Sequence, residues 1–183
     1  NVDDQSFSQL PDLSNGDLIK GGATSDCVAV KDMLYFVNNN GDMGSYDIIN
    51  SQLTATVTPS IPSNVYQPCL CTDGRYVFVI GGRDSIQDAS REFQVYDTLT
   101  SSWIVETPEL NIDRWSHSCV VSRGHIFVFG GVTGGNAQIE TLNIESSGVE
   151  LSTALLTASW TLLDARSTAE WGAIPVVCNN IDQ

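Results

Sequence analysis

Positive charge is what this chain has least of. Only eight of its 183 residues are Lys or Arg against 22 Asp or Glu, which leaves a net charge of −14 and a pI near 4.1. That balance excludes nucleic acid and anionic membrane surfaces as partners, because binding to either depends on Lys and Arg releasing phosphate counterions. No apolar run reaches the roughly 18 residues that cross a bilayer as a helix, so no membrane span is expected. No signal peptide, N-glycosylation sequon, P-loop or strand-following G-x-G-x-x-G is visible. The chain opens on Asn1, not Met, and reads as a processed product, a fragment, or the visible part of something longer. What remains is 42% hydrophobic and 16% charged, the composition of an ordered globular piece and not of a disordered tail.

The five cysteines are an odd number. Cys27, Cys69 and Cys119 each stand five residues before a turn residue (Asp32, Gly74, Gly124), which makes them equivalent positions on successive strands. Sheets packed face to face lie about 10 Å apart, whereas a disulfide needs Cα atoms within roughly 7 Å. Equivalent cysteines are therefore expected to stay unpaired, as small buried hydrophobes. Cys69 and Cys71 share one strand face but lack a second Cys pair or a His pair at ligand spacing, so zinc is not expected.

The chain repeats itself. Asp73-Gly74-Arg75-Tyr76-Val77-Phe78-Val79-Ile80-Gly81-Gly82 is echoed by Arg123-Gly124-His125-Ile126-Phe127-Val128-Phe129-Gly130-Gly131. Each copy is a turn glycine, a β-branched and aromatic run, and a double glycine. The first copy continues to Tyr96-Asp97 and then Trp103. A weaker copy, Met33-Leu34-Tyr35-Phe36-Val37, carries Asn38-Asn39 in place of the glycines, Tyr46 in place of Tyr96 and Leu53 in place of Trp103. In the last copy Leu142 replaces the Tyr, and Trp160 is the expected counterpart of Trp103 beyond an insertion. Residues 150–163 have the leucine spacing of a short amphipathic turn. Thr58-Pro59-Ser60-Ile61 and Thr107-Pro108-Glu109-Leu110 each precede a new repeat, as does Leu10-Pro11-Asp12-Leu13. Periods of 40 to 50 residues mark propellers and solenoids.

Double glycine, then Tyr, then Trp at this spacing resembles the kelch repeat, the four-stranded blade of a β-propeller. The resemblance implies an all-β fold of kelch-type four-stranded antiparallel blades. Residues 1–22 would hold the last strand of a preceding blade, 23–64 a degenerate blade, 65–114 the best match, 115–170 a blade with an insertion, and 171–183 the first strand of a following one. Three blades do not close a propeller of the usual 4–8, so an incomplete propeller is expected, completed by further blades or by copies of the same chain. Gly81, Gly82, Tyr96, Trp103, Gly130 and Gly131 are expected to be structural.

Fold alone does not fix function. The resemblance implies a non-catalytic module for protein–protein binding or structural assembly, with no catalytic residue, metal or cofactor assigned. Its contact surface would be the loops 83–91 and 132–138, where Arg83, Asp84, Arg91 and Arg114 are the candidate partner-binding residues on an acidic body. His117 is expected to be a packing or hydrogen-bonding histidine, and a triad with Ser116 and Asp113 is discounted because neighbours on a strand point to opposite faces. Few lysines and many Ser and Thr lean towards an extracellular location, with the cytoplasm as the alternative. The competing reading is part of a galactose-oxidase-like copper enzyme whose active residues lie outside this stretch, since Tyr66, Tyr76, His117 and Cys69 supply ligand types without a matching motif. A third is a cytosolic substrate adaptor.

Overall fold

The computed structural model describes residues 26–38, 41–54, 57–84, 88–132, 138–145 and 148–163. The expectations for residues 1–22 and 171–183, for 85–87 of the loop 83–91 and for 133–137 of the loop 132–138 lie outside them.

Each repeat folds into one four-stranded antiparallel meander. Sheet 1 holds β1 (Cys27–Val30), β2 (Met33–Val37), β3 (Met43–Asp47) and β4 (Gln52–Thr54). Sheet 2 holds β5 (Cys69–Thr72), β6 (Tyr76–Ile80), β7 (Phe93–Asp97) and β8 (Ser102–Ile104). Sheet 3 holds β9 (Ser118–Ser122), β10 (His125–Phe129), β11 (Ile139–Asn143) and β12 (Thr161–Leu163). The insertion in the third repeat forms α1 (Leu151–Leu155), which buries Leu151 and Leu155, as the leucine spacing predicts.

Two cores lie between three sheets. In β6, Tyr76, Phe78 and Ile80 join a cluster with Ile126, Val128, Leu142 and Trp160 of the third repeat. The alternate residues Val77 and Val79 join Tyr35, Val37 and Met43 of the first. Side chains alternate along a strand, so a strand covered on both faces must be apolar at every position. All five β6 residues are buried. In β10 only Ile126 and Val128 are buried. His125, Phe127 and Phe129 form a half-buried ring ladder on its other face.

The register confirms the expected counterparts. Tyr46 pairs with Leu53 and Tyr96 with Trp103, and the β11–β12 ladder ends with Thr141 opposite Thr161, one step short of Leu142 and Trp160. The indole N–H of Trp103 donates to the Pro59 carbonyl at 2.9 Å, and that of Trp160 donates to the Pro108 carbonyl at 3.1 Å. The two Thr-Pro stretches therefore lead the chain into sheets 2 and 3 as linkers, each clasped by a tryptophan from the outer edge of the sheet that it precedes.

The cysteine expectation is overturned. Cys69 and Cys119 form a disulfide, with Cα atoms 6.0 Å apart. Their equivalence was off by one. Cys69 lies opposite Ile80, whereas Cys119 lies opposite Val128, and it is Ser118 that stands opposite Phe129. A one-residue shift turns a strand side chain to the other face. Cys69 thus faces sheet 3 and Cys119 faces sheet 2, across inner strands that come closer than the usual sheet spacing. Cys27 is a free thiol and exposed; Cys71 is free and buried, and burial pushes its thiol pKa up.

Candidate functional site

The double glycines sit where backbone from the linkers crosses the strand ends. Gly82 has φ 106°, and a Cβ there would lie 2.7 Å from the Tyr66 carbonyl oxygen; a Cβ on Gly131, at φ 92°, would lie 2.8 Å from that of Trp115. Neither the backbone conformation nor the space admits a side chain. Gly81 and Gly131 also make room for His117: a Cβ on Gly81 would come 2.7 Å from its Cε1 atom, and one on Gly131 2.7 Å from its Cβ. His117 is buried, and neither ring nitrogen has a hydrogen-bond partner among the described residues. Burial above all, then the Arg114 charge, push its pKa down to about 3, with the Ile80 backbone pulling the other way. The ring is a neutral packing group.

The four candidate partner-binding residues divide. Arg83 is half-buried on the loop after β6, with its guanidinium carbon 3.5 Å from the centroid of the Trp115 ring, a cation–π stack. Its backbone bridges to Tyr66 and Ala89. Asp84 closes the same loop: its Oδ1 accepts the Asp88 amide at 3.0 Å, and its own amide donates to the Asp88 carbonyl at 3.0 Å. Arg91 is exposed and pairs with exposed Glu109 at 3.1 Å. These three occupy one end of sheet 2, with an acidic residue beside the last cation.

Arg114 does not belong with them. It is fully buried, and its Nη2 lies 2.8 Å from Glu140 Oε1. The guanidinium also donates to the carbonyls of Gly130 at 2.9 Å and Gln138 at 3.0 Å. Burial lowers its pKa, and the Glu140 carboxylate opposes that shift. Glu140 in turn accepts the backbone amides of Asn111 at 2.7 Å and Ile112 at 3.1 Å. Arg114 is thus a core-bridging arginine that anchors the linker into sheet 3, and it offers no cation to a docking partner. Its pairing with Glu140 was invisible to sequence reasoning, because nothing local marks a glutamate on β11 as buried.

A second concave region lies at the opposite end of sheet 2, and sequence reasoning missed it. It is a groove of about 770 Å³ between the turns flanking β6 and β8 on one side and α1 on the other. Its signal was the insertion before Trp160, which looks in the sequence like a mere interruption of the repeat.

Among the described residues no group of three His, Cys, Asp or Glu side chains is placed to hold a metal ion, and no helix is long and apolar enough to cross a membrane. No curated protein matches the chain. Residues 65–108 match the family model of the Kelch motif. That stretch contains the whole of sheet 2 with Gly81, Gly82, Tyr96 and Trp103, and sheets 1 and 3 repeat its four-stranded antiparallel order on either side. Residues 65–108 therefore carry a Kelch motif, and the three four-stranded antiparallel sheets among the described residues form an all-β architecture consistent with about three kelch-type blades.

Proposed function

We propose that the chain is a non-catalytic, protein-binding module that acts in an extracellular assembly. The observation that carries the reading is the set of held side chains that flank the loop at one end of the second blade. Arg83 is held on the Trp115 ring, Asp84 closes its loop, and Arg91 and Glu109 form a charged rim beside them. A surface ordered before binding loses less conformational entropy when a partner docks. Loops carried on a rigid scaffold are where binding residues concentrate. The Cys69–Cys119 bond supports the extracellular location, because disulfides persist in oxidising compartments and are rare in the cytosol.

The test is native mass spectrometry of the full-length protein isolated from its source, together with the same measurement on an Arg83→Glu, Arg91→Glu variant. A stoichiometric protein complex that the variant weakens is the expected outcome. A monomer with no protein partner that carries redox-active copper and oxidises an alcohol would replace this reading with the enzyme one.

A further inference from the structure

We infer that the groove between the second blade and α1 is a docking site for an extended cationic peptide with apolar side chains. The inference rests on the protein-binding reading and adds to it a place and a partner chemistry.

The floor of the groove is charged. Arg75 donates from Nε to Asp97 Oδ1 at 3.1 Å and from Nη2 to Asp97 Oδ2 at 2.7 Å. Its Nη2 also lies 3.2 Å from Glu150 Oε2, an oxygen that the Tyr76 hydroxyl reaches at 3.3 Å. The guanidinium is therefore already engaged, and the Arg75 bonds hold the Asp97 carboxyl below its usual pKa range. Glu106 lines the same groove, is exposed, and has no hydrogen-bond or ion-pair partner among the described residues. Three carboxylates thus face one guanidinium, which leaves the groove short of positive charge.

Its sides carry exposed apolar side chains, Val105 after β8 and Leu156 after α1, set among Ser102, Ser152 and Thr153. Val105 is 92% exposed and Leu156 59% exposed. Both would be removed from water by an occupant lying in the groove.

One side of the groove includes β8, an edge strand. β8 pairs only with β7, so its outer edge has no sheet partner among the described residues. An unpaired edge accepts an extended segment through main-chain hydrogen bonds, and flanking pockets then select its side chains. β4 and β12 are outer edges too, but α1 walls the groove beside β8. A second copy of this chain is a poor occupant, because a body with net charge −14 would bring like charge to the acidic floor.

The test is calorimetric titration of the full-length protein with two short synthetic peptides, one alternating Lys with Leu and Val, the other with Glu in place of every Lys. The Lys peptide is expected to bind and the Glu peptide not to. Glu106→Lys and Leu156→Ser, both at exposed positions, should each weaken the Lys peptide about tenfold, while circular dichroism shows the fold unchanged. Proline in the middle of the Lys peptide should also weaken it, by removing a main-chain donor. Equal binding of both peptides, binding indifferent to both groove variants, or occupancy of the groove by an oligosaccharide but not by the Lys peptide would each overturn the inference. A native partner complex that persists in both groove variants would overturn it while leaving the protein-binding reading intact. A protein with no partner in its native source would defeat the broader reading.

Discussion

The second blade has a neighbour on each side, and the two junctions are built differently. Towards the first blade the core holds Val30, Val37, Val57, Ile61, Val65, Leu70, Val77 and Val79 with Met43, Tyr35 and Tyr96. Towards the third blade Tyr76, Phe78, Phe93 and Trp160 join Ile80, Val95, Leu110, Ile126, Val128 and Leu142, with Phe93 and Trp160 in a T-shaped contact at 5.4 Å. Among the described residues a disulfide crosses only the second junction. The linkers differ in the same sense. Gln94 clips the linker into the second blade by two neutral bonds of 2.9 Å, to the Ser63 amide and carbonyl. At the matching place in the third blade stands Glu140, and Arg114 comes with it. The same backbone is fastened once by an amide and once by a buried ion pair. One blade design therefore tolerates opposite chemistry at one position, provided the buried charge there is answered. The difference lies in what happens when one partner is lost.

The largest expected effect follows from that. Glu140→Ala strands the buried Arg114 charge and two linker amides, and should cost about 5 kcal/mol, the upper end for breaking a buried pair. Gln94→Ala leaves only neutral groups and should cost about 1–2 kcal/mol. Urea denaturation midpoints of the two variants measure the gap, and equal midpoints would erase the distinction between the linkers. Next is the covalent staple. Cys69 and Cys119 are 50 residues apart, a loop whose closure constrains the unfolded chain by about 4 kcal/mol in the entropy model. The double Cys→Ala variant should lose about that much stability, whereas Cys27→Ala should lose almost none.

Gly82→Val forces a β-branched residue to positive φ against the Tyr66 carbonyl, and should cost about 3 kcal/mol. A midpoint unchanged in that variant would mean that the crossing backbone does not require the double glycine.

His117 adds a pH dependence confined to the second junction. Its folded pKa lies near 3, below the unfolded value of about 6.5. The unfolded chain therefore binds a proton that the folded chain refuses. The stability from this site is intact above about pH 6.5 and falls as pH drops towards 3, with a slope approaching 1.4 kcal/mol per pH unit. His117→Gln should flatten that slope in denaturation series across the same range. The smallest effect is the loss of one indole donor. Trp160→Phe should cost about 1 kcal/mol, and Trp103→Phe, half-exposed, somewhat less.

The parts of the fold that were legible in the sequence are those that local geometry imposes. Double glycine marks crossing backbone, and Tyr followed by Trp marks paired outer strands. Trp160 was read as the counterpart of Trp103 beyond an insertion, and the structure gives each indole a carbonyl of the Thr-Pro linker. The cysteines were misread for an equally local reason. Aligning Gly74 with Gly124 shifted β5 against β9 by one residue, and a one-residue shift reverses every side chain. Of the four candidate binding residues, the sequence placed Arg83, Asp84 and Arg91 at one loop end. It could not tell a buried arginine from an exposed one at 114.

By itself the sequence determined the blade: strand lengths, turn positions and the two-faced burial of Tyr76 to Ile80 follow from periodicity and from residues with few allowed conformations. Tertiary structure decided what meets across the blades. The Cys69–Cys119 bond, the Arg114–Glu140 pair and the α1 wall over β8 join residues 26 to 50 and more positions apart. Such contacts depend on which face of a strand a side chain takes and on how closely the inner strands converge, and neither is written in any short stretch of the chain.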